Sequence, residues 1–110
     1  MEPLAFDERL QLLDVTSPQD RVKTTRALLR LALPEDMRHK VELAVMERLK
    51  SESDVDVREA LIDVLGCHGK SEKAIDFAKN LLQAESHPKL RAAAELAHGK
   101  ISARLRPFIR

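Results

Sequence analysis

Apolar residues recur along this chain at intervals of three and four, interrupted by short polar or proline-containing stretches. This pattern predicts helices from end to end. The clearest run spans Ser53 to Gly66, where Val57, Ala60, Leu61, Val64 and Leu65 form one apolar stripe. It opens on helix-start chemistry: Ser53 or Asp54 accepts a hydrogen bond from a free amide of the first turn, and Asp56 adds a carboxylate at the positive helix end.

The remaining elements follow the same logic. Phe6, Leu10 and Leu13 predict a first helix ending near Asp14. Thr16-Ser17-Pro18-Gln19-Asp20 predicts a restart, with Ser17 as cap and Pro18 in the first helical position. The helix that follows carries Val22, Leu29 and Leu33 on one side and Leu28 and Leu31 on another, as expected of a helix between neighbours. Leu33-Pro34-Glu35-Asp36 breaks the pattern again. The next helix carries Met37, Val41, Ala44, Val45 and Leu49 and ends near Lys50. The helix over 53–66 is predicted to stop at Gly66-Cys67-His68-Gly69, where a glycine takes a left-handed cap conformation. Ser71 starts a fifth helix with Ala74, Ile75, Phe77, Ala78, Leu81 and Leu82 inside. His87-Pro88 starts a sixth, with Leu90, Ala93, Ala94, Ala97 and Ile101 on one face; Gly99 either ends it or is carried through. The expectation is an all-α chain of six helices.

Two of these hairpins share a plan. Setting 41–66 above 74–99, a shift of 33 residues without a gap, places Leu49 on Leu82, Val57 on Leu90, Arg58 on Arg91, Ala60 on Ala93 and Gly66 on Gly99. The clearest repeats are 37–66 and 71–99. Residues 3–33 fit a third, divergent hairpin without a position-by-position register, and 100–110 form a basic tail. The run Asp54-Val55-Asp56-Val57-Arg58-Glu59-Ala60-Leu61-Ile62-Asp63-Val64-Leu65-Gly66 resembles the second helix of a HEAT-type repeat: an acidic turn, Val-Arg, a small residue, then Leu and often Gly. Ser86-His87-Pro88-Lys89-Leu90-Arg91-Ala92-Ala93-Ala94 is similar, with Pro88 and Lys89 in place of acids. The resemblance implies a single domain over 1–110. Its fold would be a short α-solenoid of about three antiparallel helical hairpins, with the right-handed superhelix of HEAT and ARM-like stacks.

Composition agrees with helix: 44% hydrophobic and 34% charged residues, against 3% aromatic and 3 glycines. The net charge of +1 supplies no global field for nucleic acid or membranes. The single cysteine, Cys67, gives no internal disulfide framework, and neither a membrane span nor a secretory signal is visible. A cytoplasmic protein is expected.

No residue set supports catalysis. Asp54-Val55-Asp56 lacks the further oxygen ligands and turn glycine of a calcium loop and reads as helix capping. Cys67-His68 is one pair of zinc donors without a second, and reads as a loop cysteine beside a solvated histidine. His39, His68, His87 and His98 form no His-Glu-x-x-His motif, which sets this chain apart from the iron enzymes built on HEAT-like repeats. Nucleophile elbows and phosphate-cradling loops are also missing. The sequence therefore predicts a non-enzymatic chain with no cofactor and no metal.

What remains is binding. Asp56, Glu59 and Asp63 make an acidic strip on one helix. With Glu72, Asp76 and Lys79 on the next helix and Arg91, Glu95 and His98 on the last, they are the expected surface for a protein partner. Arg58 and Arg91, at equivalent places, are expected to pair with acids of an adjacent repeat. Charge is uneven: residues 1–20 hold five acids against one base (−4), and residues 86–110 hold six bases against one acid (+5). Such ends could steer opposite partners or self-stack. An adaptor-type protein–protein interaction module is the leading expectation. Nucleic-acid binding through Lys100, Arg104, Arg106 and Arg110 is the alternative, weakened by the neutral total charge and the lack of Trp and Tyr for stacking.

Overall fold

Side-chain caps fix three of the helix starts. In the computed structural model, which describes residues 17–30 and 33–105, Ser17 Oγ accepts from the Asp20 amide at 3.3 Å and opens α1, Pro18–Ala27. The helix expected around Phe6–Leu13 lies outside the described residues. α2, Glu35–Leu49, starts after Pro34 without a side-chain cap, and Glu35 and Asp36 bring negative charge to its first turn. Asp54 Oδ1 accepts from the Val57 amide at 3.0 Å and opens α3, Val55–His68. Ser71 Oγ does the same for Ala74 at 3.1 Å and opens α4, Glu72–Ala84. α5 runs from Pro88 to Leu105. The described residues thus form five α-helices and a 3-10 turn over Leu28–Arg30, with no strand.

α3 is the centre of the molecule. It packs against α1, α2 and α5, while α4 packs against α5 and touches α2 only lightly. α1, α3 and α5 therefore lie as successive neighbours in a row, and α2 and α4 pack onto it. Leu61, Ile62 and Leu65 on α3 are fully buried, and each stabilises the fold by about 1.5–3 kcal/mol relative to exposure. The positions paired by the 33-residue shift are mostly buried together: Val41 with Ala74, Val45 with Ala78, Val57 with Leu90, Ala60 with Ala93, Leu61 with Ala94, Val64 with Ala97. Val57 and Leu90 are each the third residue of their helix. Leu49 is buried while Leu82 is half-buried, as are Ile75 and Phe77, so α4 covers less of the core than its pattern suggests.

Four expectations need correction. α3 ends within the expected Gly66–Gly69 run, at His68 with Gly69 as C-cap, but not through a left-handed glycine: no described glycine has a positive φ, and Gly69 has φ −66. Glycine at 66 answers a close approach instead, since a Cβ there would lie 2.9 Å from Ala97 Cα on α5. Gly99 is carried through α5 and faces open space. Cys67 and His68 form the last turn of α3 rather than a loop, and His68 is buried, its Nε2–H donating to the Leu28 carbonyl at 2.7 Å. That bond lies where α1 tightens into the 3-10 turn, ending the longer helix expected there. Of the two arginines, Arg58 pairs as expected with an acid of the next hairpin, Glu85, and also donates to the carbonyls of Leu49 (2.7 Å) and Glu52 (2.8 Å); Arg91 departs from the expectation and is exposed.

Buried carboxylates tie the turns. Glu42 accepts from the amides of Lys70 (2.9 Å) and Ser71 (3.0 Å), anchoring the α3–α4 turn on α2. Glu52 accepts from the amides of Ser53 and Asp54, both at 3.1 Å, and from Arg21 Nε at 3.0 Å and Arg48 at 3.4 Å. Burial would raise the Glu52 carboxyl, but the Asp54 amide, Arg21 and Arg48 outweigh it and hold it below the ordinary 4.5.

Candidate partner-binding face

The caps decide where the charged residues gather. α1, α3 and α5 begin at the same edge of their row, so their first turns stand side by side. An open groove of about 390 Å³ crosses these turns. Its charged lining comes from all three helices: Lys23 and Arg26 from α1, Asp56 and Glu59 from α3 with the cap residue Asp54, and Lys89 from α5.

These charges are paired across helices. Lys89 Nζ lies 2.6 Å from Asp56 and 3.6 Å from Glu59; Arg26 lies 3.2 Å from Glu59 and 3.3 Å from Asp63. The Asp56 carboxyl is held below its ordinary value by the hydrogen bond from Lys89, and the Lys89 ammonium is raised by the same contact. Asp63 is pushed up, chiefly by burial and also by neighbouring Glu59, against the pull of Arg26. The acidic strip is thus a neutralised ladder of exposed or half-exposed pairs, which solvent screens.

The ladder reveals a register that the sequence reading left undefined. Arg26–Glu59 and Asp56–Lys89 are each 33 residues apart. The same shift aligns α1 with both later helices of the row: Lys23, Asp56 and Lys89; Ala27, Ala60 and Ala93; Leu28, Leu61 and Ala94. Opposite charge at the first of these alignments was the available signal. Glu52 and Glu85 are another such pair, each bound to arginine.

The other expected site residues are dispersed. Glu72, Asp76 and Lys79 are exposed on α4. Of these, Asp76 lines a second groove of about 330 Å³ between α2 and α4, floored by Leu43, Met46 and Phe77. Arg91 and Glu95 are exposed and His98 half-buried on α5, away from the first groove. At the positions of Glu95 and His98, α3 has buried Ile62 and Leu65, so the outer side of α5 is the polar version of a face that α3 buries. Of the basic candidates, Lys100 is exposed, Arg104 donates to the Gly69 carbonyl at 2.5 Å, and Arg106 and Arg110 lie outside the described residues. Burial, with Arg38 nearby, lowers the Arg104 pKa.

Among the described residues no group of three or more His, Cys, Asp or Glu side chains is placed to hold a metal ion, and no helix is long and apolar enough to cross a membrane. No protein-family model, curated protein or solved structure matches the chain.

Proposed function

We propose that this chain is a HEAT-like helical-repeat module, a short solenoid of hairpins, that works without catalysis by binding another protein across the row formed by α1, α3 and α5. The observation that carries the reading is the groove over their first turns. Three positive groups, Lys23, Arg26 and Lys89, alternate with three negative ones, Asp54, Asp56 and Glu59. Cross-helix pairing holds four of them, Arg26, Lys89, Asp56 and Glu59, in place before any partner arrives, which lowers the ordering cost of binding. A balanced surface of this kind suits a polypeptide carrying both signs of charge. A polyanion would need net positive potential, which this lining lacks.

The test is capture from a cell extract on the immobilised full chain, with crosslinking, comparing the native sequence with Lys23→Glu and Asp56→Lys. Both residues are exposed. A protein retained by the native chain and lost with either variant, while helical circular dichroism is unchanged, supports the proposal. Identical capture by all three removes this face as the binding site. Retention of nucleic acid, lost at raised salt, would favour the alternative partner.

A further inference from the structure

α5 carries two apolar stripes, and the fold uses one. Leu90, Ala93, Ala94, Ala97 and Ile101 are buried in the core. Ala92, Leu96, Gly99 and Ala103, spaced i, i+4, i+7 and i+11, lie on the opposite side and are all exposed. Leu96 is 62% exposed, more than any other large apolar side chain among the described residues. A Cβ built on Gly99 meets no atom within 4 Å, so the ridge is bare. Glu95 flanks it on one side and Lys100 on the other, both exposed; among the described residues neither makes an ion pair, and Lys100 reaches α3 only as a nearby charge that lowers the Asp63 carboxyl. α3 offers no such ridge. At its corresponding positions Glu59 and Asp63 are paired with Arg26, and Gly66 is packed on Ala97.

We propose that this ridge pairs α5 with the α5 of a second copy of the chain, the two helices parallel about a two-fold axis. In heptad terms Leu96 and Ala103 take a positions, Ala92 and Gly99 take d positions, Glu95 is g and Lys100 is e. A parallel pair sets each g residue against the e residue five positions later on its neighbour. Glu95 of one copy therefore meets Lys100 of the other, and the two-fold axis makes the contact twice. An antiparallel pair would face like side with like side and lose both contacts. Leu96 packs on Leu96 at the centre, and Ala92, Gly99 and Ala103 are small enough to let the helices close around it. The Glu95–Lys100 complementarity selects a second copy as the occupant; Lys89, at the a position before Leu96, is already neutralised by Asp56 and Glu59 of its own copy.

Sedimentation equilibrium of the full chain, from about 1 µM to about 1 mM, spans the range in which a small interface dissociates. The expected result is a doubling of mass with concentration. Leu96→Lys should leave a monomer throughout, with unchanged circular dichroism because Leu96 lies outside the core. Glu95→Lys and Lys100→Glu should each weaken association about fivefold, from two lost and reversed surface pairs. The double variant E95K/K100E should restore it. A native chain monomeric at every concentration overturns the proposal. So does a dimer that survives Leu96→Lys, or a double variant no stronger than the single ones.

Discussion

Gly66 and Gly99 hold the same place in two helices yet should respond oppositely to one added methyl group. Both lie inside helices, where Gly→Ala gains about 1 kcal/mol from backbone entropy and helix propensity. At Gly99 nothing lies within 4 Å of the new Cβ, so that gain is expected in full. At Gly66 the Cβ falls 2.9 Å from Ala97 Cα and 3.1 Å from its Cβ. Backbone cannot swing aside as a flexible side chain does, so α3 and α5 must separate. Overpacking of this kind costs about 1–3 kcal/mol. The propensity term is common to both variants and cancels in their difference, which isolates the close approach at about 1–3 kcal/mol. Gly99→Ala should then raise the melting temperature by about 4 °C and Gly66→Ala lower it by a similar amount. Urea unfolding and thermal melts at micromolar concentration, below any self-association, measure both. Equal stabilisation by the two substitutions would refute the α3–α5 contact at Ala97 and the role assigned to Gly66.

Other substitutions probe the turns and caps. Glu52→Gln removes the buried carboxylate that Arg21, Arg48 and the amides of Ser53 and Asp54 share and should cost about 1–3 kcal/mol in urea unfolding at neutral pH. Because the folded Glu52 carboxyl is held below its ordinary 4.5, its contribution is present above that value and lost as pH falls through the lower folded one. The acid limb of stability against pH should therefore be shallower in Glu52→Gln; an unchanged limb would count against the Glu52 network. Asp54→Ala removes the α3 cap and should cost about 1 kcal/mol in the same assay. Arg58→Ala loses two carbonyl contacts and Glu85, about 2–3 kcal/mol, whereas exposed Arg91→Ala should stay within about 0.5 kcal/mol. Similar costs at the two arginines would contradict their different surroundings.

The sequence by itself determined the helical class, most helix starts and much of the core. These are local properties: Ser17, Asp54 and Ser71 cap through bonds to amides three residues away, and the stripes of α3 and α5 follow from helical spacing alone. Tertiary structure decided the rest, because it depends on residues far apart in the chain. Gly66 reads as a helix stop until Ala97 is seen against it, and His68 reads as solvated until the Leu28 carbonyl comes within reach. The strip of Asp56, Glu59 and Asp63 reads as acidic, yet Arg26 and Lys89 arrive from the neighbouring helices and neutralise it. A helix carries the position of its own charges in its sequence, but which charges face them is fixed only when the helices pack.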